Sequence, residues 1–475
     1  MIRKDAIDVA KRLILLGSCL ARASMRTSCR RTDDWRAVGF IVLANMPFWL
    51  LSVHFFVLRP LFNVDAFIAL FVATLNPTVG LVILALSWVL DVVQSMSLAY
   101  HFASPLELLR AVRFSEALNW RGFLSAQLIT VVAGFGLAAW LATRMLRSWR
   151  PNARALLPWL VLVSTLDILN GSAFPSWLGQ DSYRIPANVS GSPSYNLVNQ
   201  ALSARASAAL PVKRWPDDGS VDPVSWARNS RGNVLVVVVE SMGQLQDPEL
   251  ADWLRRQLVN DAPTGPWSAY TDTVEFRGAT TAGELRTLCQ LSTHYSKLNP
   301  VTAAGCMPQR MTDLGYQTFG LHGFTGMMFE RNRWWPMLGL QQQTFADGTR
   351  EDAPQCGSAF RGICDDYMLE QALQILREPN RFVYLLTLNT HMPLTKVKIA
   401  PELVTLCRAR QVSDSVCQLT WQLGKFLAQT RAGLERLPQA PFVMVVGDHS
   451  PPFVVQADRR QFMTTQVPRF ILVPR

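Results

Sequence analysis

The chain of 475 residues is too long for a single hydrophobic core, so two or more domains are expected. Its formal net charge is +11, and the first 36 residues carry nine Lys or Arg against four acids. These cations flank apolar segments and do not gather in one aromatic-laced patch, which argues against a nucleic-acid partner and for a membrane.

In chain order, residues 1–37 read as a basic cytoplasmic N-terminus. Residues 38–175 read as a transmembrane domain of about five helices. The expected spans are Val38–Leu58, two short spans from Leu61–Met96 broken at Asn76-Pro77-Thr78, Phe123–Met145, and Leu156–Phe174, which contains Pro158 and Asp167. The basic N-terminus and the loop with Arg144, Arg147, Arg150 and Arg154 both belong on the cytoplasmic side, so four spans precede that loop. A fifth span then puts everything after about residue 175 outside. Ser104–Arg121 reads as an amphipathic helix on the outer surface or as a polar loop. Asp65, Asp91 and Asp167 fall within or beside spans, either as functional carboxylates or near the interface. Residues 176–232 are the connector, with Gly179–Gly232 rich in Pro, Ser, Asn and Gly and read as irregular. No cleavable signal peptide is apparent.

Cys19 and Cys29 lie in the basic region, and Cys289, Cys306, Cys356, Cys364, Cys407 and Cys417 lie in the C-terminal half. Six closely spaced cysteines suggest disulfides in an oxidising compartment, in agreement with the topology. Sequential pairing is the expectation among about 15 arrangements, with six reduced thiols as the alternative.

Residues 233–475 alternate apolar runs with helical segments, Pro248–Asn260, Glu284–Leu291, Asp365–Arg377 and Val416–Leu434. This pattern implies an α/β sheet with helices on its faces. Val234–Val239 is an unbroken β-branched run that suits a strand buried on both faces and stops at Glu240. Tyr316–Leu321 ends at His322, Phe382–Leu388 leads to His391, and Phe442–Val446 leads to Asp448 and His449. The carboxyl edge of an open α/β sheet is where ligands bind, so these side chains together favour a site. Pro468–Val473 is a last strand. Thr281-Ala-Gly-Glu284 matches a capping box, which would leave Thr280 just outside a helix N-terminus, where amides favour an alkoxide and a phosphate. A hydroxyl needs activation to attack, and one divalent cation held by Glu240, Asp448 and His449 would supply it. That mixed oxygen and nitrogen set suits zinc or manganese. The alternative is that Thr280 and Thr281 only cap the helix.

The stretches VVVVES, GATTAGEL, HGFTGMMFERNRWW, LLTLNTHMP and VVGDHSPP, in this order, resemble the sulfatase/alkaline-phosphatase superfamily. More narrowly they resemble the membrane-anchored lipoteichoic acid synthase, phosphoglycerol transferase and phosphoethanolamine transferase group. The resemblance implies an α/β sulfatase-like catalytic domain with a mostly parallel sheet behind the membrane helices. It implies Glu240, Thr280, Asp448 and His449 at the metal, Thr280 as nucleophile, and His322, Arg331 and Phe329 on the substrate side. Phe329 stands where lipoteichoic acid synthases usually have tryptophan. His391 matches a histidine beside the transferred group. Cys356 and Cys364, followed by Asp365-Asp366, look more like the phosphoethanolamine transferases. The implied donor is phosphatidylethanolamine or phosphatidylglycerol in the membrane, contacted by the aromatic stretch Phe329–Trp335. The implied acceptor is an envelope glycan, with polysaccharide-synthesis machinery as a further partner. The implied place is a bacterial inner membrane with the catalytic domain in the periplasm. A phosphodiesterase or sulfatase-type hydrolase is the alternative, although no C/S-x-P-x-R signal lies near Thr280. A catalytically silent membrane protein bound to a polysaccharide machine is a third reading.

Overall fold

The computed structural model of the chain describes residues 30–55, 57–58, 60–99, 108, 126–149, 157–162, 165, 185–186, 191–208, 212–215, 219, 221–259, 265–349, 352–358, 360–453 and 455–475. The N-terminal part holds helices α1 (Arg30–Phe55), α2 (Val64–Ala73), α3 (Pro77–Ala99) and α4 (Ala126–Ser148). They share an apolar core that includes Phe40, Phe67, Leu84, Trp88 and Ala138.

Five spans are not confirmed among the described residues. Among the described residues, Arg36–His54 and Pro77–Ala99 are long and apolar enough to cross a membrane. The break at Asn76-Pro77 falls as expected, with the Asn76 side chain accepting from the Thr78 amide at 3.0 Å. However, Asn63 caps α2 late and leaves it ten residues. That is about 15 Å of helix against a hydrocarbon layer of about 30 Å. The Phe123–Met145 stretch forms α4, with Arg147 in its last turn. Most of Leu156–Phe174 and Ser104–Arg121, together with Asp167, Cys19 and Cys29, lie outside the described residues.

The stretch read as irregular connector contains α5 (Pro193–Ala208) and α6 (Pro223–Ser230). Both begin on proline, which suits a first helical turn, so the residue that suggested a loop starts the helix. Asp222 caps α6 through the amides of Val224 and Ser225. Asp65 is buried and accepts from the Ser194 amide at 2.9 Å and the Ser194 hydroxyl at 2.7 Å, which ties α5 back to α2. Asp91 is buried as well.

In the C-terminal half the strands of the main sheet are β1 (Val234–Val239), β2 (Trp267–Glu275), β3 (Gln317–His322), β4 (Gln342–Thr344), β5 (Arg381–Leu386), β6 (Phe442–Gly447) and β7 (Gln466–Pro474). They form a seven-stranded sheet in the order β2-β7-β6-β1-β5-β3-β4. From β6 through β4 the neighbours are parallel, whereas β7 runs antiparallel to both β6 and β2. Pro468–Val473 is therefore the antiparallel member, and the long edge strand β2 has no counterpart among the sequence expectations. Its residues, WSAYTDTVE, form no apolar run because much of the strand is exposed.

Strand β1 explains the layering. Leu235, Val237 and Val239 face one core with α7 (Pro248–Leu258), α10 (Asp365–Ile375) and α11 (Asp414–Leu434). Val234, Val236 and Val238 face a second core with α8 (Thr280–Cys289) and α9 (Arg331–Met337). All six residues are buried, as a parallel strand sandwiched between helices requires. Disulfides join Cys289 to Cys306, Cys356 to Cys364 and Cys407 to Cys417, the sequential pairing.

Candidate active site

Sheet register brings the chemistry together. Val238 pairs with Val446 on one side and Leu386 on the other, and Leu386 pairs with His322. The residues just beyond, Glu240, Thr387 and Asp448, therefore emerge at one carboxyl edge. Glu240, Asp448 and His449 place one ligand atom each within 4.8 Å of one another, and all three are buried. His449 Nε2 is 3.6 Å from Glu240 Oε1 and 3.3 Å from Asp448 Oδ2.

The surroundings fix these side chains. Asp448 Oδ1 accepts from the amides of Ser241 at 2.8 Å and His449 at 2.6 Å. Asp448 Oδ2 is buried with no hydrogen-bond partner. Such an atom is costly unless something cationic meets it. His449 Nδ1 faces the Ser450 carbonyl at 2.8 Å, so an N–H there leaves the Nε2 lone pair for the cluster. Two carboxylates, one of them with an orphaned buried oxygen, and one imidazole nitrogen fit a divalent cation. Burial raises the Asp448 pKa, and the nearby Glu240 carboxylate raises it further. Burial lowers that of His449, but the carboxylates of Asp448 and Glu240 outweigh it and the net shift is upward.

Thr280 joins this cluster. Its hydroxyl donates to Glu240 Oε2 at 3.1 Å and lies 3.5 Å from His449 Nε2. Thr280 is the first residue of α8, with Ala279 as the N-cap. The expected capping box at Thr281 is absent because Glu284 points into the core. There it accepts from Arg331 Nε at 3.0 Å, Trp335 Nε1 at 3.0 Å and Tyr384 at 3.1 Å. Burial raises the Glu284 pKa against the opposing charge of Arg331. Helix α8 presses on the metal-type ligands. A Cβ on Gly283 would lie 2.9 Å from the Asp448 Cα, and one on Gly447 would lie 1.9 Å from the Met242 carbonyl oxygen.

Arg331 is buried, and its Nε and Nη2 edge is taken by Glu284. Its guanidinium carbon sits 5.3 Å from the Phe329 ring centroid. Trp334 and Trp335 are buried in packing and do not form an exposed lipid contact; Met327, two residues before the Phe329–Trp335 stretch, is exposed. His322 is buried, with Nδ1 3.1 Å from the Leu386 carbonyl. Burial, aided by the Arg331 charge, holds its pKa well below the usual histidine range. His391 is half-buried with Nδ1 2.8 Å from the Met392 carbonyl. Burial brings its pKa down to about 4, so it is neutral at pH 7.

Several participants carried no sequence signal of their own. Ser241 adopts a left-handed backbone with φ 57°, and its hydroxyl donates to Glu240 Oε1 at 2.9 Å. Such strain in a non-glycine residue concentrates at functional sites. Arg286 donates to the Gly447 carbonyl at 2.6 Å and the Asp448 carbonyl at 3.3 Å, tying α8 to the ligand turn. Burial brings its pKa down to about 10, so it stays charged at neutral pH.

No family model matches the chain, and no curated protein does. Solved structures similar to it include the lipoteichoic acid synthase LtaP from Listeria monocytogenes, at 14% identity over 57% of this chain and 71% of that one, TM-score 0.38. The Streptococcus pyogenes phosphoglycerol transferase GacH, in complex with sn-glycerol-1-phosphate, is similar at 14% identity over 55% and 77%, TM-score 0.36. The C-terminal periplasmic domain of EcEptC from Escherichia coli, in complex with zinc, is similar at 12% identity over 56% and 76%, TM-score 0.33.

Proposed function

We propose that this chain transfers a phosphoethanolamine or phosphoglycerol head group from a membrane phospholipid to a hydroxyl of an envelope glycan, through a covalent Thr280 intermediate. The observation that carries the reading is the Thr280 hydroxyl at 3.1 Å from Glu240 and 3.5 Å from His449, beside the orphaned Asp448 oxygen. Glu240, Asp448 and His449 would hold one divalent cation, zinc or manganese. When bound, that ion would lower the pKa of the Thr280 hydroxyl and offset charge on the phosphodiester.

The chain's own groups supply the rest. The Thr280 proton leaves toward Glu240 Oε2, and Oγ1 attacks phosphorus. The phosphorus–oxygen bond to diacylglycerol breaks, and that oxygen takes up the proton that Thr280 gave to Glu240. The glycan hydroxyl then attacks the phosphothreonine diester, the bond from phosphorus to Thr280 Oγ1 breaks, and the acceptor's proton passes on to Oγ1. His391 and His322 are neutral at pH 7, which suits taking the acceptor proton rather than giving one. Arg331 offsets phosphate charge from behind its pairing with Glu284. Phe329 lies on the substrate side, against the Arg331 guanidinium.

Residues 38–175 are proposed as the membrane domain, 176–232 as the connector and 233–475 as the catalytic domain on the periplasmic side of a bacterial inner membrane. The two long apolar helices and three disulfides support this placement. The test is diacylglycerol release from vesicles of phosphatidylethanolamine and phosphatidylglycerol by the full-length protein. Thr280→Ala is expected to lose at least about 1,000-fold, since removing a covalent nucleophile removes the step itself. Release at the parent rate would end the proposal. The fate of the head group, on glycan or as a free phosphate ester, separates transfer from hydrolysis.

A further inference from the structure

We propose that Asp365 is a positioning residue for His391, acting from the helix start that directly follows the disulfide-closed loop Cys356–Cys364, a loop that braces both histidine-bearing turns; this rests on the reading of His391 given above. Asp365 is buried at the first position of α10, immediately after Cys364. Both of its carboxylate oxygens are spent on the turn that leads to His391. Oδ1 accepts from the Leu388 amide at 2.8 Å, and Oδ2 accepts from the Asn389 amide at 2.8 Å. The turn answers in kind, because Asn389 Oδ1 accepts from the Asp365 amide at 2.7 Å. The His391 amide in turn donates to the Leu388 carbonyl at 2.9 Å. Thr390 continues the connection to the metal-type ligands, its hydroxyl donating to the Glu240 carbonyl at 2.5 Å.

The disulfide loop makes a second contact with the same histidine. Phe360 lies within the loop, and its ring centroid is 3.8 Å from that of His391. The loop also reaches the His322 turn, where the Ile363 amide donates to the Gly323 carbonyl at 2.7 Å. At Gly362 a Cβ would lie 2.3 Å from the Gly323 carbonyl oxygen and 2.5 Å from Leu388, so the loop fits tightly between the two turns. A carboxylate is needed at residue 365 because two amides must be accepted at once. A carboxamide offers one acceptor and turns its own N–H groups toward a donor.

Asp365 makes no hydrogen bond to Thr280 or to the metal-type ligands, and the groups it holds directly belong to the turn that carries His391; the metal Kd separates this route from the Thr390 link to Glu240. A misplacement of about 1 Å at a reacting group costs about 100-fold in rate. In full-length protein, Asp365→Asn is expected to lower kcat for multiple-turnover diacylglycerol release, which requires the phosphothreonine to be cleared in every cycle, about 100-fold. KM for the phosphatidylethanolamine and phosphatidylglycerol donors, and the Kd for zinc or manganese by calorimetry, should stay within about threefold. In a His391→Ala background, Asp365→Asn is expected to change kcat less than about threefold, because residues acting as a unit are non-additive. If Asp365→Asn lowers the His391→Ala rate by the same factor as the parent rate, or leaves the parent rate unchanged, the proposal is overturned while the role of His391 stands. If His391→Ala alone releases diacylglycerol at the parent rate, the proposal and that role fall together. If Asp365→Asn does not fold, Phe360→Ala removes the other contact without touching the hydrogen bonds, and the same non-additivity is expected of it. Additive losses there would equally overturn the proposal.

Discussion

At the scale of single residues, Glu284 shows how a motif position changes meaning in three dimensions. In sequence it completes a helix cap; in the structure it is a buried anion held by Arg331, Trp335 and Tyr384. Both members of the ion pair are almost fully excluded from water, with side-chain exposures of 3% and 0%. Removing one partner leaves the other charge buried and unpaired, so Glu284→Ala is expected to cost about 3–5 kcal/mol, read from urea unfolding. A loss under about 1 kcal/mol would show that water reaches Arg331. The metal-type ligands were legible because each ends an apolar run; Ser241, Arg286 and Asp365 were not, because what they do depends on partners distant in the chain.

At the scale of elements, α8 is the piece on which the site depends. It delivers Thr280 at its first residue, lays Gly283 against Asp448, and ties Gly447 and Asp448 through Arg286. Gly283→Ala has no room without shifting Asp448 or the helix. We expect about 10–100-fold weaker divalent-metal binding by calorimetry, in line with losses on disturbing the groups that orient a ligand. Gly348→Ala, where a Cβ meets nothing within 4 Å, is the matched control and should bind as the parent does. The buried strands were readable to within a residue or two, as β1 and β6 show, whereas the apolar helices were displaced by three residues or more at an end. The edge strand β2 and helices α5 and α6 were not, because exposure removes the apolar run and proline starts a helix as readily as it interrupts one.

At the scale of the whole molecule, pH and metal act on the same buried carboxylate. The Asp448 pKa is raised above its unfolded value, so the folded apo-protein holds more protons there than the unfolded chain does. Its contribution to stability is present at low pH and lost as pH rises through the folded pKa. A bound cation displaces that proton, so metal affinity should rise with pH. The expected outcome is a larger Tm increase on adding zinc or manganese at pH 8 than at pH 5.5, by calorimetry; an equal increase at both would show that Asp448 is not a ligand. The sequence by itself determined the buried strands that lead to Glu240, His322 and Asp448, because these follow from unbroken apolar runs; it offered the sequential disulfides as one pairing among about 15, and the structure has that pairing. Only the tertiary structure decided that α2 is about half a span, that Asp65 is bonded to the connector, and that Glu284 faces the core. Those outcomes depend on which distant groups meet and which polar atoms must be satisfied once water is gone.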